Sequence, residues 1–331
     1  MDAKLSNFSE LSNILSVKSS LRTNLMTLFT RFGLGHLLSR MSLEKQAGIP
    51  AVQLILSLCL FRIAGESIHS ICKKSYYDLL NTGHNCYYRM LRRATMDWRK
   101  LLLGMALRFL AILRKEHAEN TSENTSYIFD DTTLEKTGLG IEQISRVFDH
   151  VQGKCVLGFK LLVCAFFDGK STIPIDMSLH SEKGKKKDFG LTAKQRKNRF
   201  TKKRKEGNPD SIRLKESTES KLQVAVEMLK RAWAYKSLRA KYVLCDSWFT
   251  CEYFIREVLK LGKGALNLVG LAKMGNTKYS VYGKLHNALE LIALYEDNPQ
   301  YCHNCRRYKC HYIALRGKLG EQPVRIFLIR Y

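Results

Sequence analysis

Hydrophobic positions recur at helical spacing through the first 120 residues of the chain. Leu21, Leu25, Leu28 and Phe32 form one stripe, Leu54, Leu58 and Phe61 a second, and Leu103, Leu107 and Leu110 a third. Segments 67–72 and 76–80 have the lengths of a helix-turn-helix pair, and the basic, aromatic run 87–93 follows them. Such a run suits a DNA groove. A helical bundle with a solvated basic face accounts for the same residues. The polar segment 117–126 is a linker by composition.

Beyond the linker the period changes. Residues 127–130 form an apolar strand, and 156–167 and 171–179, separated by the turn Asp168-Gly169, predict a hairpin. Residues 221–235 are helical, with Leu222, Val226, Leu229 and Trp233 on one face. A strand over 242–246, a helix over 252–261 and a strand over 265–272 follow. A three-strand meander joined by a helix to a parallel fourth strand is the ribonuclease-H-like order. In that order the first and fourth strands are neighbours.

Two of these strands run into carboxylates: Tyr127-Ile128-Phe129-Asp130-Asp131-Thr132 and Tyr242-Val243-Leu244-Cys245-Asp246-Ser247. A carboxylate at the end of a buried strand is costly unless a partner neutralises it, and a divalent cation does so. Held side by side, such groups make a pocket for metal-dependent phosphoryl transfer. Aspartates that merely end strands in turns are the alternative.

Charge narrows the choice of partner. The 331 residues carry a formal net charge of +25, and 45% are hydrophobic, enough for a sizeable core. A balance this basic points to a polyanion. The longest apolar run, 49–60, is broken by Gln53 and Ser57 and is too short to span a bilayer, so a membrane is not the expected partner. No secretory signal is visible at the N-terminus. Of the ten cysteines, Cys59, Cys155, Cys164 and Cys245 lie in apolar runs and are expected to be small buried residues, reduced in an intracellular protein. Twelve Lys and Arg fall within 183–205 against the single acid Asp188. Beside a phosphoryl-transfer pocket that run would neutralise DNA phosphates; otherwise it is a solvated loop.

Smaller motifs are less specific. Cys302-His303-Asn304-Cys305 with Cys310-His311 invites a zinc site, but the spacing is compressed, and Cys310 and His311 alternate on a strand. Asp149-His150 is a general-base candidate or a satisfied polar pair. Gly138-Leu139-Gly140 lacks a full phosphate-loop pattern.

Three blocks in order carry a family resemblance: Phe129-Asp130-Asp131-Thr132-Thr133-Leu134-Glu135-Lys136-Thr137-Gly138, then Ser145-Arg146-Val147-Phe148-Asp149-His150 with Val156-Leu157-Gly158-Phe159-Lys160, then Val243-Leu244-Cys245-Asp246-Ser247-Trp248-Phe249. Together they resemble a DDE transposase of bacterial insertion sequences, of the insertion-sequence-four type. The resemblance implies an α/β protein with three parts. These are an all-α DNA-binding and dimerisation region over 1–120, a ribonuclease-H-like catalytic core over 125–275 with a basic insertion at 181–215, and a partial β-rich insertion over 276–331. It implies Mg2+, with Mn2+ able to substitute, and cleavage and strand transfer of double-stranded DNA at terminal inverted repeats by a homodimer. It implies a bacterial cytoplasmic, nucleoid-associated location. The first catalytic and metal-binding Asp maps onto Asp130 or Asp131, since both fit Asp-any-Ser/Thr, and Asp130 directly continues the strand. The second maps onto Asp246. DNA contacts are expected from Lys136, Arg146, Lys160, Lys185, Lys186, Lys187, Arg196, Arg199, Lys203 and Arg204.

The sequence departs from the family at the third acid, a Glu in a helix patterned Tyr-x2-Arg-x3-Glu-x6-Lys. No segment matches it. Glu290, Glu296 and Asp297 are the acids after the fifth strand, and Glu290 sits in an ordinary helical pattern. The expectation is therefore a transposase truncated before the catalytic Glu, impaired or inactive alone. A DNA-binding regulator that competes with a full-length transposase is the second reading. A nucleic-acid-binding protein whose positive charge is its whole function, with no role for the carboxylates, is the third.

Overall fold

The computed structural model describes residues 18–40, 48–63, 65–73, 83–116 and 124–330. It divides into two compact units, residues 1–118 with 202–214, and 119–201 with 215–331.

Six described helices lie in residues 1–118 of the first unit: α1 (Lys18–Arg31), α2 (Leu34–Arg40), α3 (Ala51–Ile63), α4 (Ile68–Lys73), α5 (His84–Leu91) and α6 (Trp98–Glu116). Gly33 takes a left-handed φ of 60° between α1 and α2, a turn that favours glycine. One core buries Leu34, Leu38, Leu54, Phe61 and Tyr87, with Leu25 and Leu58 of the predicted stripes packed against it. Each such side chain contributes roughly 1.5–3 kcal/mol on burial. The second half of the expected helix-turn-helix, 76–80, lies outside the described residues. The basic run after it begins inside α5.

The second unit holds two sheets. The first contains β1 (Ser126–Glu135), β2 (Ser145–Asp149), β3 (Lys154–Phe167), β4 (Thr172–His180), β5 (Tyr242–Cys245) and β6 (Asn267–Gly270). β3 is long enough to pair with β2 and then β4 on one side, and with β1 on the other. β1, β5 and β6 are parallel. Helices α7 (Ala193–Lys197), α8 (Pro209–Glu216), α9 (Lys221–Trp233) and α10 (Glu252–Gly262) lie within or after the long segment that follows β4. α9 buries Val224, Ala225, Met228 and Leu229 and packs on β3 and β4. Tyr127 and Phe129 of β1 are buried, and Phe129 meets Phe254 of α10 edge-on at 5.8 Å.

Two expectations about this sheet need correction. β1 does not stop at Asp130 but runs on to Glu135, because its antiparallel ladder with β3 continues after β5 has ended. The aspartates therefore sit inside a strand. β2 is a strand that the hydrophobic pattern missed; its inward residues are Ser145, Val147 and Asp149, of which only one is apolar. Cys155 is exposed, contrary to expectation, because it pairs with outward-facing Phe148 across β2 and β3. All ten cysteines are free.

The second sheet comprises β7 (Tyr279–Val281), β8 (Lys284–His286), β9 (Cys302–Cys305), β10 (Cys310–Leu319) and β11 (Gln322–Arg330), with helix α11 (Ala288–Tyr295) after β8. Its order is β11-β10-β7-β8, with β9 also on β10, so β11 is an edge strand. Ile313, Leu315, Ile326 and Leu328 point inward onto a second core with Ala288 and Leu291. Among the described residues no helix is long and apolar enough to cross a membrane.

Candidate active site

The parallel ladder between β1 and β5 ends at the pair Phe129 and Cys245. The next residue on each strand is an aspartate, Asp130 and Asp246. Each aspartate thus directly follows the last paired residue of two neighbouring parallel strands. β5 turns away there, and the turn explains the position of Asp246. Its Oδ1 accepts from the backbone N–H of Trp248 at 3.0 Å and of Phe249 at 3.3 Å, while Thr250 Oγ1 donates to its carbonyl at 3.0 Å. Asp130 is exposed, and its Oδ1 accepts from the Asp131 N–H at 2.8 Å. Each carboxylate thus has one oxygen, Oδ1, fixed by local backbone N–H groups.

Asp131 is in a different environment. It shares a face with its partners Leu162 on β3 and Ser178 on β4, whereas Asp130 shares the opposite face with Val163 and Met177. Lys221, the first residue of α9, places its ammonium 2.5 Å from Asp131 Oδ2 and 4.1 Å from the centre of the Trp248 ring. Asp131 is therefore already neutralised. Ser178 Oγ donates to Glu216 Oε2 at 3.3 Å nearby. Burial pulls the pKa of His180, at the end of β4, down to about 4, with Lys221 adding to the effect.

The next row on that face is Thr133, Lys160 and His180. Lys160 is only 5% exposed, and its ammonium donates to Thr133 Oγ1 at 3.1 Å. It is an interior strut, which corrects its expected role as a DNA contact. The neighbouring Asp149 caps a turn, accepting from Val151 and Gln152 N–H at 2.9 Å each. The Gln152 hydrogen bond, followed by Thr133, Val151 and Lys160, holds its carboxyl below the usual range. It is a satisfied polar group, and no base poised beside His150 is found.

The basic residues sort into two groups. Lys185, Lys186, Lys187, Arg146 and Lys203 are exposed, and Lys136 is partly so in the loop after β1. The others have structural partners. Arg199 Nη2 donates to the Ile144 carbonyl at 2.9 Å, and its guanidinium stacks 4.2 Å from the Phe189 ring centre; burial lowers its pKa. Arg196 Nη1 donates to the Leu191 carbonyl at 2.7 Å and lies 4.0 Å from Asp188. Arg204 pairs with Asp210 at 3.1 Å in the first unit. The segment 183–199 is thus anchored at both Arg196 and Arg199, and its lysines project from that anchored loop.

The remaining motifs do not form sites. Cys305 faces Cys310 across β9 and β10, but Cys302 lies opposite Ile313 and His311 opposite Asn304. Among the described residues no three His, Cys, Asp or Glu side chains converge on a position that could hold a metal. A side chain at Gly138 or Gly140 would meet nothing within 4 Å, so neither position requires glycine for a close approach. Glu290 closes a capping box with Asn287 at the start of α11, and Lys278 lies 3.1 Å from it; Glu296 lies 3.7 Å from Arg330. Two acids weighed as substitutes for the third carboxylate are therefore engaged elsewhere. The linear pattern missed Lys221 because its partner Asp131 is 90 residues away and helix periodicity carries no sign of it.

The family model of the DDE superfamily endonucleases matches residues 50–264, more than half of the chain. The chain belongs to this family. Among curated proteins none matches it. The matched span of this DDE superfamily endonuclease contains Asp130, Asp131, Asp246 and the whole basic segment. The family cleaves DNA and uses divalent metal ions.

Proposed function

We propose that this DDE superfamily endonuclease is a transposase of the insertion-sequence-four type. It binds the terminal inverted repeats of an insertion sequence as a homodimer and cuts and joins DNA there on a ribonuclease-H-like core. The observation that carries this reading is the end of the β1–β5 ladder, where Asp130 follows Phe129 and Asp246 follows Cys245, the last residues paired between the two neighbouring parallel strands. The sheet order, with a central strand antiparallel to a meander on one side and parallel to β5 on the other, supports the core assignment.

The donor set suits Mg2+ or Mn2+. Both groups are hard carboxylate oxygens, and Mg2+ binds through one or two carboxylates while keeping waters. Asp130 and Asp246 would hold the ion through the oxygens not used by backbone N–H groups. Bound there, it supplies Lewis acidity toward a phosphate oxygen. The chain's own residues orient the two carboxylates, keep Asp131 neutralised through Lys221, and supply phosphate contacts from Lys185, Lys186 and Lys187.

A second reading is DNA binding without catalysis, as a competitor of a longer transposase. It is favoured by the engagement of Glu290 and Glu296 elsewhere. A Mg2+-dependent nicking assay on DNA carrying terminal repeats separates the two. Cleavage that is lost in Asp130→Asn and Asp246→Asn supports the enzyme. Repeat-specific binding without cleavage supports the competitor. Cleavage unchanged in Asp246→Asn refutes the proposed site.

A further inference from the structure

The outward face of the second sheet carries an arrangement that the nuclease chemistry does not use. On β10 and β11, Tyr312 lies opposite Ile329, Ala314 opposite Phe327, and Arg316 opposite Arg325. On the other side of β10, His303 lies opposite Tyr312. The rings form a continuous row: His303 and Tyr312 are 5.3 Å apart, Tyr312 and Phe327 6.4 Å. Phe327 is 54% exposed and Ile329 57%. This is a flat aromatic strip open to solvent on an antiparallel sheet.

Beside the strip stand Arg316 and Arg325, both exposed and directly opposite each other. Like charges in that relation repel and destabilise the pair. The acids flanking this face are engaged with other cations, Glu321 near Lys318 at 3.6 Å and Glu296 near Arg330 at 3.7 Å. An anion lying between the two guanidinium groups would remove the repulsion. Aromatic faces one step along the sheet from a cationic pair fit a ligand that alternates flat rings with negative charges. Unpaired nucleotides have that chemistry, stacking bases on aromatic rings while their phosphates meet arginines. A duplex hides its base faces and cannot use the strip.

We propose that this face is a docking surface for single-stranded DNA, with Tyr312 and Phe327 stacking bases and Arg316 and Arg325 holding the phosphate between them. Its residues are distinct from those of the basic segment 183–199, whose proposed phosphate contacts would not depend on strandedness.

The test is fluorescence anisotropy of the full chain with an oligothymidine and with a duplex of equal length. Phe327→Leu keeps an apolar side chain on the edge strand but removes the ring, and Phe327→Trp restores one. The expected result is about 5- to 100-fold weaker oligothymidine binding in Phe327→Leu, recovery in Phe327→Trp, and unchanged duplex binding in both. Arg325→Gln is expected to weaken the oligothymidine complex and, by removing the like-charge pair, to raise thermal stability. Equal losses for both DNA forms, or no loss for either, would overturn the proposal. So would a fall in self-association in Phe327→Leu with oligothymidine binding intact, which would assign the face to a second copy of the chain. These outcomes do not depend on cleavage, so failure here leaves the reading of Asp130 and Asp246 standing.

Discussion

The ammonium of Lys221 lies 2.5 Å from Asp131, one residue along β1 from Asp130 and on the opposite face of the sheet. The two side chains are 17% and 19% exposed, so neither charge is well hydrated without the other. Asp131→Asn is expected to destabilise the fold by about 1–3 kcal/mol, because it strands a partly buried ammonium. Asp130→Asn, at an exposed position, is expected to stay within about 0.5 kcal/mol of the parent. Thermal denaturation with and without Mg2+ checks both. Asp130→Asn should abolish the stabilisation by metal, and Asp131→Asn should retain it at a lower melting temperature. The reverse pattern would move the metal-binding role to Asp131.

His180 gives the stability a pH dependence. Burial brings its pKa in the folded state to about 4, against about 6.5 for an ordinary imidazole in the unfolded chain. Between those values the unfolded chain binds the extra proton. Stability is therefore complete above pH 6.5 and falls as pH drops toward 4, by at most about 3 kcal/mol. Urea unfolding between pH 7 and pH 5 measures the slope, and His180→Gln should flatten it. Asp149 and Glu290 are both held below the usual carboxylate range, so they add losses only at more acidic pH.

Gly158 of β3 lies where β3 crosses the end of β1. A β-carbon there would stand 2.3 Å from the Leu134 carbonyl oxygen, which is backbone in a paired ladder and cannot swing aside. Gly158→Ala should cost about 1–3 kcal/mol through forced separation of the strands. Gly138→Ala, with nothing within 4 Å, is the matched control and should change stability by less than about 0.5 kcal/mol. Urea midpoints of the two variants decide the point.

What was legible in the sequence followed from periodicity and from strand order. The stripe Leu222, Val226, Leu229 and Trp233 fixed α9 to within two residues of its observed C-terminal end. The two apolar runs ending in carboxylates located β1 and β5, whose parallel pairing ends at Phe129 and Cys245, the residues before Asp130 and Asp246. Two kinds of feature were not legible. β2 buries Ser145 and Asp149, polar residues satisfied by hydrogen bonds, Ser145 with Gly158 and Glu182 and Asp149 with the turn that follows it, so alternation of polarity failed to mark it. The partners of Arg199, Lys160 and Asp131 are distant in sequence or are backbone atoms, so a count of positive charge could not tell struts from DNA contacts.

That distinction yields a measurement on the basic segment. Lys185, Lys186 and Lys187 are exposed on a loop held down by Arg196 and Arg199. Each lysine that meets a phosphate releases about 0.9 counterion from duplex DNA. Replacing all three with Gln should therefore reduce the slope of log K against log salt by about 2–3, with thermal stability unchanged. Arg199→Gln should do the opposite. It removes a guanidinium that donates to the Ile144 carbonyl and stacks on Phe189, so it should lower the melting temperature and expose residues 189–199 to limited proteolysis. Its salt slope should stay near that of the parent, because the guanidinium is already engaged by the Ile144 carbonyl and the Phe189 ring. If Arg199→Gln instead reduced the slope by about 1 and left proteolysis unchanged, the guanidinium would have to leave its carbonyl and engage DNA, and the loop would be held by Arg196 alone.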